Sequence, residues 1–245
     1  IAVNTTDAGV STTNPVRPII RYILVTLAVL FCAIPWLGKQ QISKAQKLIH
    51  KQPWEVVLNA FRTASILEPL NAHPHYYMAL CHKQMNQPEL AQTEFVEAVK
   101  LCPNYGFYRF YLATELGESR QFEEALNQFE IARNLDPYDA DGRTRFSLAA
   151  LEWQLGHREM AIEDFWAAIL ANPAHLNDPF WENNQGLRDR LIRDFSVYTT
   201  SFNSVHVLNY KSAPLFLKLL AVLREAGESD VANRHLYLAA YNNPG

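Results

Sequence analysis

Cysteine is scarce in this chain: Cys32, Cys81 and Cys102 are the three in 245 residues. So few thiols, with no C-x-x-C pair among them, exclude a disulfide framework and a zinc site of the usual spacing. Charge is sparse too, at 19% of residues and a net of −3. A chain so nearly neutral has no basic surface of the kind that attracts nucleic acid. H-E-x-x-H, G-x-S-x-G and a glycine-rich phosphate loop are all missing, which removes the common hydrolase and nucleotide-binding chemistries. Carboxylates such as Glu123, Glu124 and Glu159 fall at helix starts, where they complement the helix dipole. Taken alone, the chain is expected to be no enzyme and to need no cofactor or metal.

What is present is a repeat. Pro69, Pro103, Pro137 and Pro173 follow one another at intervals of 34, 34 and 36 residues. Each stands after an apolar helical run, and proline rarely continues a helix. Five residues before each proline is Ala64, Ala98, Ala132 or Ala168; eight before is Phe61, Phe95, Phe129 or Phe165. Twelve before stands Ala91, Ala125 or Ala161, with Val57 in the first copy. These positions form one stripe at helical spacing, and the small residues are where helices would approach closely. A period near 34 with A-x3-F and a terminal proline is the tetratricopeptide signature. Residues 70 to 173 strongly resemble tetratricopeptide repeats.

The resemblance implies an all-α fold, an α-solenoid of helix-turn-helix repeats. In the clearest copy Tyr105 to Leu116 is the first helix, Gly117 to Arg120 the turn and Gln121 to Leu135 the second helix. The repeats are expected over 39–173, the first copy degenerate. A more irregular helical segment follows at 174–212, signalled by Asp178-Pro179, Asn183-Asn184 and the polar run Thr199 to Ser204. A last helix pair at 213–245 has Pro214 at its start, Leu236 in the phenylalanine slot, and Gly227, Ala232, Ala239 and Pro244 in phase.

Upstream lies an uninterrupted apolar run. Between Ile19 and Leu37 the sole charge is Arg21, and nineteen helical residues reach about 28 Å, close to the thickness of a bilayer core. A transmembrane helix is therefore expected over 18–38. Its apolar body includes Leu24, Leu27, Leu30 and Phe31. Arg21 snorkels at one edge, and Tyr22 and Trp36 stand where interfacial aromatics belong. The alternative of a buried core helix lacks the polar face that such a helix carries. Residues 1–17, rich in Thr, Ser and Asn, form a flexible or partner-ordered tail. Lys39, Lys44, Lys47 and Lys51 beyond the span outnumber Arg17 and Arg21 before it, which favours repeats on the cytoplasmic side; the expected setting is a bacterial inner membrane, with a periplasmic placement as the alternative.

In proteins of the tetratricopeptide type the first helices of successive repeats line a groove. The resemblance puts Tyr76, Leu80 and Lys83, then Phe107, Phe110 and Thr114, then Arg143, Phe146, Ala150 and Trp153 on that surface. It would be aromatic and apolar, unlike the Lys, Asn and Arg clamp with which well-known members hold a chaperone's terminal carboxylate. Several of these aromatics could instead pack between helices. His75 and His82, seven residues apart beside His73 and Cys81, share a helix face; the repeat frame makes them packing residues in the slots of a large aromatic pair rather than metal ligands. Cys81 and Cys102 are expected as free thiols, or as a disulfide in an oxidising compartment.

The expected function is a membrane-anchored scaffold or accessory subunit that binds protein partners in a membrane complex. Two alternatives share the architecture. The chain, which begins at Ile1, could be the repeat tail of a multi-spanning glycosyltransferase similar to O-antigen ligases, or an assembly factor for cytochromes or the envelope.

Overall fold

A computed structural model describes residues 16–136, 141–204 and 213–242. Residues 1–15 of the expected tail at 1–17, Pro137, Asp139, residues 205–212 of the expected irregular segment and Pro244 lie outside the described residues, while Val16 and Arg17 already belong to a helix. Among those described every regular element is helical. The chain divides into two compact units, Ile1–Asn86 and Gln87–Gly245.

The first unit contains α1 (Val16–Leu48), α2 (Trp54–Leu67) and α3 (Ala72–Gln84). The apolar span and the first helix of the first repeat are one continuous helix, α1, with Pro35 inside it. Its residues Ile20–Leu48 form a helix long and apolar enough to cross a membrane. Tyr22, Leu24, Leu27 and Trp36 are 57–75% exposed and Arg21 is exposed, so the span has no soluble core around it. The side chains of Leu30 and Phe31 lie outside those described. Further along, α1 turns to soluble packing: Ile42 and Ala45 are buried with Val57, Leu58, Phe61 and Ala64 of α2 and with Met78 and Cys81 of α3.

The second unit runs through α4 (Pro88–Leu101), α5 (Gly106–Glu118), α6 (Phe122–Leu135), α7 (Arg143–Leu155) and α8 (Arg158–Ala171). From α4 to α8 each helix packs on the next. Two 3-10 turns, Pro173–Asn177 and Pro179–Asn183, lead into α9 (Gln185–Ser204), then α10 (Ala213–Glu225) and α11 (Ser229–Asn242). Among the described residues the segment after Pro173 is thus more regular than its composition implies: Gly186 and the Thr199 to Ser204 run are helical, and the two 3-10 turns precede them.

The repeat frame sets where helices stop. α2, α4, α6 and α8 end at Leu67, Leu101, Leu135 and Ala171, two residues before each proline of the repeat. In each case the next residue, Glu68, Cys102, Asp136 or Asn172, donates its backbone N–H to the carbonyl of the phased alanine, at 2.9–3.1 Å. The alanines at the two small slots and the phenylalanines between them are all at most 4% exposed in α4, α6 and α8.

The turn inside each pair differs from the expected one. Gly117 is helical, and the left-handed residue is Arg120, at φ 60°. Gln121 then donates to the carbonyl of Leu116, and the same bond recurs from His157 to Glu152 and from Glu228 to Leu223. This is the Schellman closure, which places a left-handed residue between the partners. Gly156 and Gly227 occupy that position later in the chain, His50 and Asn86 earlier.

Leu236 departs from its slot. It is 41% exposed while His235 beside it is 7% exposed, so the face that α11 turns to its neighbours α9 and α10 carries His235 instead. Burial lowers the His235 pKa, helped by Arg234.

Candidate partner-binding groove

The expected groove residues divide between the two units. Tyr76, Leu80 and Lys83 stand on α3 in the first. Tyr76 is 8% exposed and lies edge-on to Tyr77, which stacks on Phe61 at 4.6 Å. It is a packing residue rather than a presented one, while Leu80 and Lys83 are half-buried. His82 is buried and His75 half-buried. Among the described residues no three His, Cys, Asp or Glu side chains gather as a metal site requires.

In the second unit α5 and α7 are the first helices of successive pairs, and two cavities follow one another along them. At their N-terminal halves a cavity of about 620 Å³ is lined by Tyr105, Phe107 and Phe110 of the α5 end, Leu135 and Asp136 at the end of α6, and Asp141, Arg143 and Thr144. Phe107 is exposed and leans on Tyr111 at 4.9 Å. Phe110 is half-buried and meets Phe129 edge-on at 5.8 Å. Arg143 is held by Asp141, at 2.8 Å.

At the C-terminal halves a cavity of about 610 Å³ is lined by Thr114 and Glu118 of α5, Phe146, Ala150 and Trp153 of α7, and Asp178, Phe180 and Asn184. Trp153 is half-buried, with its indole N–H donating to Asn184 Oδ1 at 3.0 Å. The Arg158 guanidinium covers one face of the ring at 3.8 Å, a cation–π contact that leaves Trp153 a fixed wall.

Phe146 differs from expectation. At 5% exposure it is enclosed by His175, which stacks on it at 4.8 Å, and by Phe165, Phe180 and Trp181. The two 3-10 turns fold back over α7 and bury it. His175 Nε2 lies 2.6 Å from the Asp141 carbonyl oxygen and the Trp181 indole donates to the His175 carbonyl at 2.7 Å. Asn172 and Asp178 each accept a backbone N–H two residues on and so start these turns. Phe180, Asp178 and Asn184 are therefore lining residues that the repeat frame does not include. Their signal in the sequence is the aromatic pair Phe180-Trp181 directly after an Asp-Pro turn.

Among the residues lining the second cavity the charged ones are Glu118 and Asp178, and in the first they are Asp136, Asp141 and Arg143. The groove is thus apolar with a surplus of carboxylates.

The same unit holds an ion cluster centred on the buried Asp164. Asp164 of α8 accepts from Arg133 of α6 at 2.6 Å and from Arg145 of α7 at 3.0 Å. Glu152 of α7 is 2% exposed with Oε2 lacking a hydrogen-bond partner. Burial, and then the nearby Asp164 charge, raise its pKa to about 7, with Arg133 opposing. The pairs through Asp164 tie α6, α7 and α8 together. Cys81 and Cys102 are free thiols: Cys81 is buried, its pKa pushed up to about 11 by that burial, and Cys102 is half-buried.

No protein-family model matches the sequence, and no curated protein matches it. Solved structures do. PilF of Pseudomonas aeruginosa is similar with a TM-score of 0.55, over 87% of this chain and 95% of that one, at 18% identity. MamA of Desulfovibrio magneticus RS-1, residue 41 to its end, is similar with 0.51 over 84% and 95%, at 16% identity. A further MamA protein gives 0.51 over 84% and 92%, at 12% identity. At such identities the likeness is one of fold. With the repeat frame, it shows an α-solenoid of tetratricopeptide type.

Proposed function

We propose that this protein is a membrane-anchored, non-enzymatic interaction scaffold that receives a segment of a partner protein in the groove between α5 and α7. The observation that carries the reading is the pair of cavities set end to end along these helices, walled by Phe107, Phe110 and Trp153. Aromatic anchors of this kind dominate protein interfaces, and an amphipathic helix or an extended strand of a partner suits a groove so lined. The excess of carboxylates favours a segment that combines apolar side chains with Lys or Arg, and disfavours an acidic one. α1 supplies the anchor: its exposed apolar run would sit in lipid, and the exposed Lys39, Lys44, Lys47 and Lys51 beyond it favour the cytoplasmic side. The partner would then be a subunit of a membrane complex.

The test is purification of the full chain in a mild detergent with quantitative mass spectrometry of what accompanies it. One or more membrane-associated proteins should co-purify in fixed ratio and be displaced by a peptide of the partner's basic, apolar segment. Indifference to that peptide, with the partner retained after the groove has been altered, would refute binding at this site.

A further inference from the structure

The end of α2 lies level with the end of the apolar span. Gly38, one residue past Leu37, is buried, and a Cβ at that position would collide with Cγ of Glu68. α1 passes through this point without leaving the helix and continues to Leu48. After the turn at residues 49–53, α2 runs back along it, with Ile42 and Ala45 buried against Val57, Leu58, Phe61 and Ala64. The chain that follows Glu68 is therefore carried towards the apolar half of α1, not away from it. Two residues of helix separate Trp36 from Gly38, about 3 Å of rise.

At that corner stand two large aliphatic side chains turned outwards. Ile66 is 74% exposed and Leu70 is 85% exposed, with the exposed Pro69 between them. The opposite end of α2 is of another character: there the exposed Lys47, His50 and Lys51 surround the α1–α2 turn. Water-exposed aliphatics gathered beside a bilayer-length apolar helix fit the headgroup boundary, where apolar side chains gain from partial burial and basic ones meet phosphate. Lys39 is exposed beside Gly38 and at the right height for the latter.

We propose that the corner Ile66, Pro69, Leu70 is a second lipid contact, dipping into the headgroup region of the leaflet from which α1 emerges at Trp36. The proposal rests on the reading of α1 as a membrane span. Because no flexible linker separates span from repeat, two lipid contacts on one rigid helix pair fix the height and tilt of the first helix pair at the membrane. The interaction partner of this surface is the bilayer itself.

The experiment uses the full chain reconstituted in vesicles of phosphatidylcholine and phosphatidylglycerol, with photoreactive p-benzoylphenylalanine placed singly at Val25, Val56, Ile66 or Leu70. All four are at least 45% exposed, so the fold tolerates the replacement. After irradiation, intact mass reads covalent lipid adducts. Adducts at Val25, Ile66 and Leu70, and none at Val56 on the far end of α2, support the proposal. An adduct at Val25 with none at Ile66 and Leu70 overturns it and leaves the anchor standing. No adduct at Val25 overturns the anchor and this inference with it. Adducts at all four positions overturn it too, since α2 would then lie flat on the membrane instead of touching it at one corner.

Discussion

Gly142 sits against the backbone of Ala168: a Cβ at 142 would lie 2.6 Å from the Ala168 carbonyl oxygen and 2.8 Å from its Cα, and the residue is left-handed at φ +68°. One period earlier, a Cβ on Gly106 would lie 3.0 Å from the Ala132 carbonyl oxygen. At both places a glycine stands against a phased alanine's backbone. Gly142→Ala faces both a backbone clash and a disfavoured conformation and should lose about 2–4 kcal/mol; Gly106→Ala, free of the second penalty, should lose about 1 kcal/mol. Ala132→Trp would overpack the same contact by roughly 1–3 kcal/mol or more. Urea denaturation of the soluble repeats checks the order. Equal losses for the two glycines would remove backbone strain from the explanation.

Arg120 holds the left-handed turn position that Gly156 and Gly227 hold later in the chain. A side chain there costs about 1 kcal/mol that glycine avoids. Arg120→Gly should therefore raise the melting temperature, whereas Gly156→Arg should lower it. A drop for Arg120→Gly would mean that the arginine makes contacts worth more than the strain.

Stability should fall as pH rises from about 4.5 to about 7. The folded Glu152 carboxyl titrates near 7 against an ordinary 4.5, raised by burial first and by Asp164, Glu130 and Glu163, with Arg133 opposing. Between those values the folded chain keeps a proton that the unfolded chain releases, so alkali favours unfolding until the penalty is complete above about pH 7. Glu152→Gln should flatten that slope and stabilise the protein at pH 8 by about 1–3 kcal/mol. Denaturant midpoints at pH 5.5 and 8 decide; an unchanged slope in the variant places the titrating group elsewhere.

Phe110→Ala and Trp153→Ala should each weaken partner binding by about 2 kcal/mol, roughly thirty-fold in Kd. Phe110 also packs on Phe129 and Trp153 bonds Asn184, so circular dichroism must first show unchanged helicity and melting. Asn127→Ala, on the exposed side of α6, is the control. A folded double variant that binds as tightly as the parent would exclude this groove.

The full chain should remain in the membrane pellet after alkaline carbonate washing, while a chain starting at Gln40 should be soluble, since it retains the Ile42 and Ala45 packing against α2. Release of the full chain into the supernatant would defeat the anchor.

How far the sequence reaches is set by the range of the forces involved. A solenoid repeat touches mainly its neighbours, so a period of about 34 already encodes the helix ends, the buried Ala and Phe stripe and the close approach at Ala132 and Ala168. The apolar length of residues 19–37 likewise declares itself, because a membrane asks for length and composition alone. Tertiary structure decided what periodicity cannot carry. Phe146 and Phe110 occupy the same first-helix position, one period apart, yet Phe110 is only half-buried while Phe146 is covered, because a 3-10 segment some thirty residues later folds over it. That same segment brings Phe180 and Asn184 to the groove. The exposed Ile66 and Leu70 acquire meaning only when Glu68 is found against Gly38. Local pattern fixes which residues are helical and which face is apolar; which apolar faces remain open depends on contacts between segments far apart in the chain.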